Sequence, residues 1–144
     1  MHQSTLTWMT AFLLTGCSGM AAAPAGGGAA ATHVSGTVTY LQRIALPRTA
    51  LVKVQLVDVS RADAPAVVLG KQIIQAGGNQ VPFSFEIPYD PAKIDPRYSY
   101  AVQVRIEDDG RLLFVSDRHY AVITRGAPTQ VDMVLKAVSG PAAN

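Results

Sequence analysis

Tyr98-Ser99-Tyr100-Ala101-Val102-Gln103-Val104-Arg105-Ile106-Glu107 is the stretch that decides the fold. Every second residue is large and apolar, so Tyr98, Tyr100, Val102, Val104 and Ile106 share one face. Ser99, Ala101, Gln103, Arg105 and Glu107 share the other. A period of two is that of a strand with one face buried, whereas a helix groups its apolar residues every 3.6 positions. Val81, Phe83, Phe85 and Ile87 repeat the pattern, with Pro82 and Pro88 marking strand ends or an edge strand. Val52, Val54 and Leu56 alternate with Lys53 and Gln55, and Val131, Met133 and Leu135 alternate with Asp132 and Lys136.

Weaker strands are predicted at residues 34–41, 67–74, 112–116 and 120–124. The expectation is an all-β domain, an antiparallel β-sandwich or small barrel of seven or eight short strands. Helix is confined to about one turn at Asp90-Pro91-Ala92-Lys93-Ile94, with Asp90 as N-cap and Pro91 in the first helical position. Asp108-Asp109-Gly110 suits a three-residue hairpin loop with Gly110 left-handed. That register sets Glu107 opposite Arg111, Ile106 opposite Leu112 and Val104 opposite Phe114. It leaves Leu113 and Val115 on the outer face, and strand parity puts Leu51 and Val57 there as well. Exposed apolar groups often mark partner sites. These four are the candidate partner-binding residues.

Catalytic chemistry finds little support. Calcium requires about six to eight oxygen ligands from a closely spaced set. Asp90, Asp95, Asp108 and Asp109 lie instead in turn and cap contexts, so no metal is implied. His119 follows Asp117 but has no nucleophile to serve, so no catalytic residue is assigned and no cofactor is expected. The net charge is +2 and the basic residues are scattered, which argues against nucleic acid. A glycan-binding or glycan-acting envelope protein is an alternative, and it requires polar side chains such as Tyr98, Asp117 or His119 to converge in a pocket. A purely structural role is a second alternative.

The leader is more explicit. Residues 6–14 form an apolar run too short to span about 30 Å of hydrocarbon. Leu14-Thr15-Gly16-Cys17 ends it, and Cys17 is the single cysteine of the chain. This resembles a bacterial lipobox, although residues 1–10 carry no Lys or Arg, where a signal peptide ordinarily has positive charge. The resemblance implies a signal peptide over residues 1–16 and acylation of Cys17. Ser18 after the cysteine, rather than Asp, favours the outer membrane by analogy with Gram-negative lipoproteins. A Gly/Ala-rich tether over residues 17–32 follows, including Ala21-Ala22-Ala23-Pro24-Ala25-Gly26-Gly27-Gly28. It is expected to be disordered, its roughly 15 residues spanning about 20 Å. Residues 33–138 form the β-domain and 139–144 a disordered tail.

Within that domain, Val34-Ser35-Gly36-Thr37-Val38, Ile44-Ala45-Leu46-Pro47, Val54-Gln55-Leu56-Val57-Asp58, Pro82-Phe83-Ser84-Phe85 and Gly110-Arg111-Leu112-Leu113-Phe114 together resemble the YbaY/YscW-type lipoprotein family. The resemblance implies a non-catalytic β-sandwich lipoprotein of the outer membrane, facing the periplasm. One branch of the family consists of pilotins, which chaperone a secretin subunit; the other consists of stand-alone envelope lipoproteins. The expected partners are the membrane, through the lipid, and an envelope protein such as a secretin subunit, the chain itself being a monomer. The pieces also have local causes. Gly36 permits a bulge or a close backbone approach, and Asp58 and Ser60 close a turn through side-chain hydrogen bonds.

Overall fold

The structure is a computed structural model, and it describes residues 32–138. Cys17, the leader, most of the tether and the tail lie outside the described residues. Eight strands run in the order β1 (Thr32–Tyr40), β2 (Leu51–Asp58), β3 (Val67–Gln75), β4 (Phe83–Tyr89), β5 (Tyr100–Asp108), β6 (Arg111–Val115), β7 (Tyr120–Val122) and β8 (Gln130–Ala137). A single 3-10 turn, Pro91–Lys93, separates β4 from β5. Its N-cap is Asp90, whose carboxylate accepts from the Ala92 N–H at 3.0 Å.

The strands form one sheet in the order β3-β2-β5-β6-β8-β1-β4, with β7 continuing the β6 side of β5. All neighbours are antiparallel except β1 and β8. The sheet coils on itself until its end strands, β3 and β4, approach each other. There the Gln72 side chain accepts from the Glu86 N–H at 2.8 Å. Gly70 lets the strands meet: a Cβ on it would lie 2.6 Å from Ile87 Cγ2 and 2.9 Å from the Pro88 carbonyl oxygen. The architecture is thus an all-β, nearly closed barrel, its two faces belonging to one sheet.

Alternation supplies the core. Val52, Val54 and Leu56 of β2, Val102, Val104 and Ile106 of β5, and Phe83, Phe85 and Ile87 of β4 all point inward and are buried. Val34, Val38, Met133 and Leu135 complete the cluster. Burying one such aliphatic side chain contributes roughly 1.5–3 kcal/mol. Among the described residues no polar or charged residue is buried, and no buried side-chain N or O lacks a partner. At the parallel junction Gly36 is obligatory, because a Cβ there would stand 1.8 Å from the Val131 carbonyl oxygen. That is the close approach predicted for this glycine.

Three expectations are corrected. Tyr98 is 39% exposed rather than inward, because β5 begins only at Tyr100 and Tyr98 closes a turn through its N–H to the Asp95 carbonyl at 2.9 Å. Val57 keeps its outward parity but is covered, at 1% exposure, and so is not free for a partner. It sits opposite Ala101, which is also buried, and neither belongs to the interior cluster; a bulge against β3 falls between Leu56 and Val57. The third correction is the hairpin register. Asp109 and Gly110 have φ of 48° and 78°, and Asp108 pairs with Arg111, which makes a two-residue turn of the type favoured by Asp-Gly. A bulge between Ile106 and Glu107 then puts Phe114, not Leu112, opposite Ile106. Glu107 faces Leu112 and forms its ion pair with Lys53 instead of Arg111.

Candidate functional site

The corrected hairpin builds a groove. The bulge breaks the alternation of β6, so Leu112 and Leu113 are both half-buried rather than one in and one out. They form one wall with Arg111 and Phe114. Residues 44–47 of the β1–β2 connection form the other, and Ala137 and Val138 at the end of β8 close one side. The space is about 550 Å³ and open to solvent.

The walls are held in place. Phe114 stacks on Tyr40, with ring centroids 4.1 Å apart and planes 14° from parallel. The Tyr40 hydroxyl donates to the Ile44 carbonyl at 2.6 Å, and burial raises the Tyr40 pKa, which keeps it a neutral donor. Gln80 braces the same connection: its side-chain oxygen accepts from the Leu46 N–H at 2.8 Å. Leu46 is buried, while Ile44 is 59% exposed and Leu41 81% exposed. The Val138 N–H donates to the Leu113 carbonyl at 2.9 Å, tying the end of β8 to the opposite wall. The site is therefore an apolar trough with a fixed shape.

The free sheet edges are less suited to a partner. The Glu86 N–H points to the seam and is taken by Gln72, and Pro88, two residues along the same edge, has no N–H to offer. Beside β7, the Tyr120 hydroxyl accepts from the Val134 N–H at 3.0 Å and donates to the Val134 carbonyl at 3.1 Å. One β7 side chain thus takes up the backbone N–H and C=O of Val134 in β8, beyond the reach of the short β6–β8 ladder.

A model of the type III secretion system lipoprotein chaperone (YscW) family matches residues 29–135. The chain belongs to the YscW family. It is 38% identical over 106 residues to the uncharacterized lipoprotein YbaY of Escherichia coli K12, a match that covers 74% of this chain and 55% of that protein. The chain thus spans about half the length of its curated relative. Among solved structures, an alternative pilotin from the type II secretion system of Vibrio cholerae aligns with a TM-score of 0.73 and 48% identity. That alignment covers 76% of this chain and 98% of the pilotin. The YscW-family fold is thus chaperone- and pilotin-like.

Against this YscW-type barrel, the four candidate partner residues separate. Leu113 lines the groove. Val115 is half-buried and faces Arg105, beside a shallow polar depression with Gln103 and Arg118. Leu51 is half-buried at the start of β2, between Gln75 and Glu107, and Val57 is buried. Only Leu113 belongs to the site. Sequence reasoning missed Ile44, Pro47, Arg111 and Val138. Ile44-Ala45-Leu46-Pro47 did carry a signal: three apolar residues before a proline are unusual for an exposed turn.

Other chemistry does not assemble. Asp117 and His119 are exposed on the β6–β7 connection, while Tyr98 borders a separate depression with Asp58 and Arg61. The convergence required for a glycan site at these residues is not there. The Asp95 carboxyl is held down to about 2 by hydrogen bonds and charge from Arg97. It is an exposed loop ion pair, shifted away from the near-neutral range useful for proton transfer. Among the described residues no group of three or more His, Cys, Asp or Glu is placed to hold a metal ion.

Proposed function

We propose that this chain is a non-catalytic, lipid-anchored, pilotin-like module that binds a segment of an envelope protein, such as a secretin subunit, in the groove. The observation that carries this reading is the preformed apolar trough on a YscW-family barrel. Apolar surface left open on a rigid wall is what a partner segment can bury, and a wall already ordered avoids the entropic cost of ordering on binding.

In this reading residues 1–16 are removed, Cys17 is acylated, and residues 17–32 tether the barrel to the outer membrane, facing the periplasm. β1 gives the geometry a direction. Thr32, where the tether joins, pairs with Tyr89 at one pole, and Tyr40 meets Phe114 at the other. Nine strand residues separate the poles by about 26 Å. The groove opens at the pole remote from the anchor, where a partner arriving from the aqueous space meets it first.

Photocrosslinking residues placed at Ile44 and Leu113, with Ile73 as an exposed control on β3, test the reading in the intact envelope. The expected result is one envelope protein captured at both groove positions and not at Ile73. Capture of no specific protein, or equal capture at all three positions, overturns it. Failure of Cys17→Ser to release the protein from the membrane fraction would remove the anchor from the account.

A further inference from the structure

The groove wall contains one charge. Arg111 opens β6 at the lip of the trough, and every other lining side chain is apolar. Its guanidinium forms no ion pair among the described residues, where the paired cations are His33, Lys53 and Arg97. Asp108, its cross-strand neighbour, is engaged by the Thr49 hydroxyl. Asp109 occupies the tip of the turn. Arg43 and Arg48 flank residues 44–47 in sequence, but neither lines the groove, and the Arg48 guanidinium lies near Gly78, so Arg111 is the one cation of the lining.

We infer that the groove selects a polypeptide segment that is apolar with a carboxylate beside it, Arg111 receiving the acid while Ile44, Leu112 and Leu113 receive the apolar side chains. This rests on the partner-binding reading and adds the chemistry of the segment. A guanidinium offers five donors in a planar fork that matches a carboxylate. Next to an apolar wall the pair is screened less than in open water, so it discriminates between partners more strongly than a fully exposed pair does. An apolar trough alone would accept any greasy segment; one fixed cation rejects basic ones and orients acidic ones.

The test uses the full chain and three fluorescein-labelled peptides of about twelve residues. They share one leucine- and alanine-rich frame and differ at one position, Glu, Gln or Lys. Fluorescence anisotropy is expected to rank them Glu, then Gln about five- to tenfold weaker, then Lys weaker still. Arg111→Gln should equalise the Glu and Gln peptides, and Arg111→Glu should invert the order in favour of Lys. Both variants change an exposed side chain, and unchanged thermal unfolding would show that they fold. High salt should compress the Glu–Gln difference. Equal binding of all three peptides by the wild type overturns the charge selection while leaving the groove as a partner site. Binding of none, with crosslinks at Ile44 and Leu113 intact, also overturns it and spares the broader reading; loss of both removes the two together. Binding of laurate but of no peptide would make this a fatty-acid site and overturn the inference.

Discussion

The barrel interior and the groove at its pole are made of the same kinds of residue, and they differ in what closes them. Inside, valines, phenylalanines and isoleucines are sealed by backbone contacts so tight that glycine is required at Gly36 and Gly70. At the pole, Ile44 and Leu113 line a trough with a fixed floor and no cover among the described residues. Apolar composition therefore does not distinguish a core from a binding surface; the closure does. If so, substitutions at the closing points should change stability, whereas substitutions on the open wall should change binding and little else.

The largest effect is expected at the parallel junction. Gly36→Ala puts a Cβ 1.8 Å from the Val131 carbonyl oxygen and 2.8 Å from its carbon. Both are backbone atoms that cannot rotate away, so β1 and β8 must separate. The loss should be about 3 kcal/mol or more, read as a fall in the urea midpoint. A variant as stable as wild type would mean that the β1–β8 contact is not what holds the barrel shut.

The seam is the next closing point. Gly70→Ala meets Ile87 Cγ2 at 2.6 Å and the Pro88 carbonyl oxygen at 2.9 Å. The Ile87 methyl can yield in part, so a loss of about 1–3 kcal/mol is expected. Amide exchange at Glu86 should quicken more than at residues of β5, since Gln72 would lose its grip on that N–H. Tyr120→Phe should cost less, about 1 kcal/mol, by removing both hydrogen bonds to Val134. Solvent can reach Val134, which is 40% exposed, and water replaces part of what is lost.

The same contrast explains what could be read in the sequence. Strands with one buried face announce themselves by their period, so β2, β4, β5 and β8 and their inward residues were legible. The 3-10 turn was legible from Asp90 and Pro91, and the close approach at Gly36 from a glycine in a strand. The groove was not, for a specific reason. It depends on a bulge between Ile106 and Glu107, and Asp108-Asp109-Gly110 is compatible with a loop of either two or three residues. One residue of register decides whether Leu112 faces the interior or the groove wall. Val57 misled in the same way, because an outward parity does not show what else packs on that face. Closure of the sheet is a long-range property, and no local pattern encodes that β3 and β4 meet.

The smallest stability effect is expected on the wall itself, and it is the sharpest test of the comparison. Ile44→Asp alters a side chain that is 59% exposed, while the Ile44 carbonyl that anchors the connection to Tyr40 remains in place. Removing exposed apolar surface from a rigid loop should change stability by no more than about 0.5 kcal/mol. The same change puts a carboxylate across the trough from Arg111, where it would repel an acidic partner segment and desolvate poorly against an apolar one. Crosslinking from Leu113 in this background should therefore fall to the level of the Ile73 control although the protein remains folded. If Ile44→Asp instead loosened the barrel as much as Gly70→Ala, Ile44 would be a core residue despite its exposure. The division between closed interior and open wall would then fail.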